Sequence, residues 1–260
     1  MFLREQIMKR MQEHYEIAKE IVDEKLIVGI FYYGSGNYNM ADEQSDVDTK
    51  VLVVPSLADV VCARRAVAFE HHCDNGEHIN FVDVREFVHQ ILKQNPNTLE
   101  LLFTEYYALN PVFKGVWFDI WKHREEATRI NPHKAVDTMR HMANKEYHHM
   151  KKNGFNHKKL ATMFRLEKAI GDYMLGCKYK YVLQTDQAEF FLKVKRGNFV
   201  DSDEEGMRFV GNCYEDINRL ADRYLEHVPD VEDAGIKDKL MRGLTDLMCM
   251  HLGYEIETRE

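Results

Sequence analysis

Two carboxylates, Asp46 and Asp48, stand two residues apart in SDVDTKVLVVPS (45–56), downstream of Gly34-Ser35, which ends the apolar run FYY (31–33). Side chains of a strand alternate between faces, so the two acids share one face, with Cα atoms roughly 7 Å apart. Like charges so placed repel and lose solvation unless a cation lies between them. Mg²⁺ suits that role, because it takes carboxylates, water and substrate phosphates rather than an all-protein cage. Two-metal phosphoryl-transfer sites hold ions about 3.5–4 Å apart, a spacing that bridging aspartates can span. Gly34 permits a sharp turn and close approach of backbone to an anion. The turn N–H groups and the Ser35 hydroxyl can then hold phosphate oxygens. The chemistry indicated is that of a metal-bound triphosphate.

Such groups need strands and turns to position them. Leu26 to Tyr33 is β-branched and aromatic and predicts a buried strand. Gly34 to Ser45, with its Gly, Asn, Asp and Ser, predicts a loop that starts with a tight turn. Val47 to Val54 predicts a second strand, stopped by Pro55. Ser56-Leu57-Ala58-Asp59 opens a short helix expected to lead into Val60 to Ala68. Cys73 to Gly76 reads as a turn, His78 to Val84 as a third strand, and Phe87 to Lys93 as a helix broken at Asn95-Pro96-Asn97. Another helix begins over Thr98 to Phe103. Ahead of all this, Glu5 to Glu24 carries Ile7, Met11, Tyr15, Ala18 and Ile21 at helical spacing.

Beyond about Pro111 the strand signals fade. Val116 to Glu126, Lys134 to Lys151, Lys158 to Cys177, Asp186 to Lys195, Glu204 to His227 and Ile236 to His251 all read as helices. The expected fold is α+β: residues 1–112 form a mixed sheet with flanking helices, and residues 113–260 form an α-helical bundle.

GSGNY (34–38) followed by SDVDTKVLVVPS (45–56) resembles the DNA polymerase β-like nucleotidyltransferase superfamily, and within it a bacterial and phage branch of predicted nucleotidyltransferases. DVREF (83–87) and NPNTLELLF (95–103) resemble segments that follow the core in that branch. The resemblance implies that Asp46 and Asp48 are catalytic and bind Mg²⁺ or Mn²⁺, and that Gly34 and Ser35 hold the triphosphate of an NTP. It implies a third catalytic, metal-binding carboxylate at Asp83, with Glu77 as the rival position. FNHKKLATMFRLEKAIGDYMLG (155–176) resembles a helix used beside the triphosphate, with Lys158 and Arg165 seven residues apart on one face. Thr162 stands where that pattern has a histidine. The implied reaction moves an NMP from an NTP to the hydroxyl of an acceptor (RNA end, small molecule or protein) and releases pyrophosphate. The alternative is a non-catalytic nucleotide-binding sensor or interaction protein on the same fold.

Composition sets limits on these readings. The 260 residues are 45% hydrophobic and 30% charged, a globular balance. The formal net charge of -8 lowers the expectation of a general nucleic-acid coat. No apolar run reaches a membrane span, the N-terminus lacks a secretion core, and five scattered cysteines suit reduced thiols, so a cytoplasmic protein with no membrane partner is expected. His71, His72, Cys73 and His78 surround a polar turn and could in principle hold Zn²⁺, although no paired-ligand spacing supports it. His141, His148 and His149 read as a solvated helix face, with a phosphate- or RNA-facing stripe as the alternative. Tyr106, Tyr107, Trp117 and Trp121 read as packing.

Overall fold

The computed structural model describes residues 2–41 and 45–257; residues 42–44 of the expected 34–45 loop lie outside them. Five strands form one mixed sheet: β1 (Ile27–Tyr33), β2 (Asp48–Val53), β3 (Ala68–His72), β4 (His78–Asp83) and β5 (Tyr107–Leu109). Their order across the sheet is β3-β4-β2-β1-β5. β1 pairs antiparallel with β2 and β5, β3 pairs antiparallel with β4, and β2 runs parallel to β4.

Helix α1 (Phe2–Ile21) covers one face of the sheet. Its Ile7, Met11 and Ala18 bury against Ile30, Tyr32, Val47, Val51, Val53, Ile79 and Phe81. The alternate residues Val28, Phe31, Leu52 and Val54 enter a second, larger core on the opposite face. Burial on both sides explains why β1 reads as a continuous apolar run.

Helices from Val84 onward supply that second core. α2 (Leu57–Val61) starts at Ser56 with a reciprocal capping box to Asp59. α3 (Val84–Leu92) and the short α4 (Pro96–Leu99) lead to β5. Then come α5 (Lys114–Trp121), α6 (Arg124–Ala127), α7 (Pro132–Asn153), α8 (His157–Met174), α9 (Tyr179–Leu183), α10 (Ala188–Lys195), α11 (Asp203–Leu225) and α12 (Ala234–Glu257). Asn131, Asn156 and Ser202 cap α7, α8 and α11 through side-chain oxygens. α7, α8 and α11 pack on one another, α10 packs on α8, and α12 returns to α5 and α3. Trp117 of α5 joins the two parts, its ring 4.6 Å from Phe31 and 6.1 Å from Phe87. The larger core therefore runs without a break from the sheet into the helices, across residue 112.

Several expectations need adjusting. The helix expected to run to Ala68 stops at Val61, and β3 occupies the end of that span. Exposed Glu70 and His72 gave β3 little apolar signal. The helix expected over 116–126 divides into α5 and α6, and α9 was not foreseen. Trp117 is buried, Tyr107 stacks on Phe31 at 6.3 Å, and Tyr106 meets Tyr32 edge-on at 5.8 Å, so these aromatics pack. His141, His148 and His149 are exposed on α7. No helix among the described residues is long and apolar enough to cross a membrane.

Candidate functional site

β1 ends at a turn whose geometry depends on glycine. Gly34 has φ +100°, a left-handed conformation that strains other residues. Ser35–Tyr38 then form one 3-10 turn. The Gly36 N–H bonds the Tyr32 hydroxyl at 2.8 Å, and a Cβ at Gly36 would lie 2.6 Å from that oxygen. From below, Glu100 grips the turn: one carboxylate oxygen accepts from the Gly34 N–H at 3.0 Å and from Asn37 Nδ2 at 2.9 Å. Glu100 is fully buried, its other oxygen has no partner, and burial pushes its carboxyl above the ordinary range. The Ser35 N–H remains without a protein partner among the described residues.

This turn opens onto a pocket of about 290 Å³. Gly34 and Ser35 line it with Asp46 and Asp48 on one side and Lys158, Thr162, Arg165 and Lys195 on the other. Asp46 is exposed just before β2, and Asp48 is the first residue of that strand, opposite Tyr33 on β1. Burial pushes the Asp48 carboxyl up; the His78 N–H bond at 3.0 Å works against this, and the charge of Asp46 adds to it. No lysine or arginine among the described residues pairs with either aspartate. Two adjacent acids, one of them half-buried and neither paired with a lysine or arginine, fit a divalent cation.

Two of the cations opposite, Arg165 and Lys158, have no ion pair among the described residues. Arg165 on α8 is only 7% exposed and carries no carboxylate partner among the described residues. Its guanidinium lies 3.9 Å from the centroid of the Tyr38 ring, which fixes it toward the pocket. Lys158, seven residues earlier on the same helix, is exposed at the pocket and has no ion pair among the described residues. Lys195 of α10 reaches the Ser45 hydroxyl at 3.3 Å.

Six of the residues singled out from sequence therefore meet at one pocket: Gly34, Ser35, Asp46, Asp48, Lys158 and Arg165. Asp83 does not join them. Because β2 and β4 are parallel, Asp83 lies beside Val53, five residues along from Asp48, or roughly 16 Å at strand rise. It is 2% exposed and caps α3 through the Arg85 N–H, and its carboxylate is held by the Arg85 guanidinium at 2.6 Å. The expectation that Asp83 is the third catalytic, metal-binding carboxylate is thus corrected: its place is structural. Glu77 is equally committed, on the α1 side of the sheet, to Arg10, His14, Asn75 and the Val47 N–H. Burial works to raise its carboxyl, but these partners hold it below the ordinary value.

On the Asp48 face, β4 offers His78 and Asn80 rather than an acid. A carboxylate on that face of the sheet is Glu70 of β3, which lies 3.4 Å from His78 Nδ1. The sequence assigns no role of their own to Glu100, Tyr38 and Lys195, although NPNTLELLF and GSGNY contain the first two. Glu100 is distinguished there only by being an acid in the apolar stretch TLELLF (98–103). Compared with known protein families and with curated proteins, the chain matches no family model and no curated sequence.

Proposed function

We propose that the pocket binds an NTP with Mg²⁺ or Mn²⁺ and that the protein is a nucleotidyltransferase of the polymerase β-like type. The observation that carries this reading is the pairing of opposite, uncompensated charges across one cavity. Among the described residues, Asp46 and Asp48 have no lysine or arginine partner, and the buried Arg165 faces them with no carboxylate of its own. A triphosphate with its divalent ion satisfies both sides at once.

Asp46 and Asp48 would hold the metal. When bound, it neutralises negative charge on the transferring phosphate. Gly34 and Ser35 direct the turn N–H and hydroxyl at phosphate oxygens, and Glu100 keeps the turn in shape. Arg165 and Lys158 bind the phosphate tail from the helical side. An acceptor hydroxyl on RNA, a small molecule or a protein attacks the α-phosphorus, the bond to the bridging oxygen breaks, and pyrophosphate leaves.

One observation favours a second reading, a nucleotide-binding protein without turnover. The β4 residues beside Asp48 are an imidazole and an amide, and no third carboxylate joins the pair from that strand. A single experiment separates the two readings. The protein is incubated with each labelled NTP, Mg²⁺ or Mn²⁺, and cell extract. Transfer predicts labelled RNA, protein or small molecule with pyrophosphate release, lost in Asp46→Asn. Metal-dependent NTP binding without pyrophosphate over a broad acceptor panel favours the second reading. Absence of any NTP binding overturns both.

A further inference from the structure

The β3–β4 hairpin places a second set of ligating side chains beside the pocket. His72 and His78 are directly opposite each other in the antiparallel register, and Glu70 is two residues from His72, so all three share a face. Glu70 Oε1 lies 3.4 Å from His78 Nδ1, and Glu70 Oε2 lies 3.5 Å from His72 Nε2. The imidazoles meet edge-on with centroids 4.7 Å apart. All three ligand atoms fall within 4.8 Å of one another. Two ligands at about 2.1 Å from a tetrahedral ion are themselves about 3.4 Å apart. Both carboxylate–imidazole separations therefore already match that spacing. No lysine or arginine among the described residues pairs with Glu70, so its charge faces only the two imidazoles.

We infer that Glu70, His72 and His78 bind one divalent transition-metal ion of the zinc class, at a site separate from Asp46 and Asp48. The donor set selects the ion. Two imidazoles and a carboxylate suit Zn²⁺ and its relatives, whereas Mg²⁺ takes oxygen ligands. Three protein ligands leave a fourth position for water or a substrate atom, the pattern of reactive rather than structural zinc. Asp48 borders that position, with its Oδ1 4.0 Å from His78 Nδ1 and 3.0 Å from the His78 backbone nitrogen. None of the three ligands lines the pocket that Asp48 shares with Lys158 and Arg165. His71 points to the α1 side, where its neighbour in register is the buried Ile79, and takes no part. Cys73 likewise turns toward His14, with its sulfur 3.8 Å from Nε2. The site does not depend on the nucleotide reading, and it is tested without nucleotide.

The test is a Co²⁺ titration of the untagged, metal-stripped protein, followed by visible absorption. The expected result is a saturable tetrahedral spectrum at one equivalent, displaced by Zn²⁺. Glu70→Gln and His72→Ala each weaken it by at least about tenfold, the cost of losing even an outer-shell partner of a ligand. His71→Ala and Asp46→Asn leave it unchanged, and circular dichroism verifies that each variant is folded. No saturable spectrum in the wild type, or equal affinity in Glu70→Gln and His72→Ala, overturns the inference.

Discussion

The two faces of β2 carry polar groups at the same level of the sheet and treat them in opposite ways. On the α1 side, Thr49 bonds His14 at 2.9 Å, His14 bonds Glu77 at 3.1 Å, and Glu77 also takes Arg10, Asn75 and the Val47 N–H. Every charge there has its partner within the fold. On the pocket side, Asp46, Asp48, Lys158 and Arg165 converge on one cavity, and none pairs with another. A buried charge is tolerable when it is paired. The closed cluster meets that condition in the folded chain alone, whereas the buried Arg165 and the half-buried Asp48 of the open one meet it with a ligand. Closed polar sites hold the structure, and open ones mark where something binds.

The comparison can be broken by substitutions on either face. Asp48→Asn should lower NTP-dependent transfer on the order of 1,000-fold or more, about 4 kcal/mol of transition-state stabilisation. Its melting temperature should hold or rise, since the native carboxyl is desolvated. Glu77→Ala should do the reverse. It strands the buried His14 and the Val47 N–H and costs about 2–3 kcal/mol in urea denaturation. NTP affinity per folded molecule should be unchanged in that variant. If Glu77→Ala abolished binding with stability intact, the division between the faces would be wrong.

Two smaller effects sharpen it. Arg165→Lys keeps the charge but loses the fork and the stacking on Tyr38, so NTP should bind roughly tenfold more weakly, about 1.4 kcal/mol. Titration calorimetry reads this directly. The smallest change is in pH dependence. Burial raises the folded-state pKa of Glu100, so the folded chain holds a proton that the unfolded chain has already released. That group's contribution to stability is full below the ordinary glutamate value and is lost as pH rises through the raised one. Glu100→Gln should flatten this decline in stability measured against pH, with the Gly34 turn retained.

Much of the open face was legible because it is local. A turn ending one strand and an alternating acid pair starting the next are short-range patterns, and Gly34, Ser35, Asp46 and Asp48 follow from them. Lys158 and Arg165 were legible as one helix face, though not from spacing alone as pocket residues. The place of Asp83 is set by the direction of β4, which no local pattern carries. The connection from β2 to β4 contains α2, and helical crossovers join parallel strands. Parallel strands start at the same end, which puts the end of β4 far from Asp48. The closed cluster was illegible for another reason: Arg10 and Glu77 are 67 residues apart, and no local pattern links them. β3 escaped because its Glu70 and His72 stand exposed on a sheet edge, the residues to which the zinc-class site is assigned.

The most direct measurement is calorimetric binding of each NTP, with Mg²⁺ and with chelator, to the wild type and to the Asp46→Asn/Asp48→Asn double variant. The account predicts saturable binding of at least one NTP that requires the metal and is lost in the double variant, whose circular dichroism matches the wild type. Metal-independent binding that survives both substitutions, or no binding of any NTP to the wild type, would contradict it.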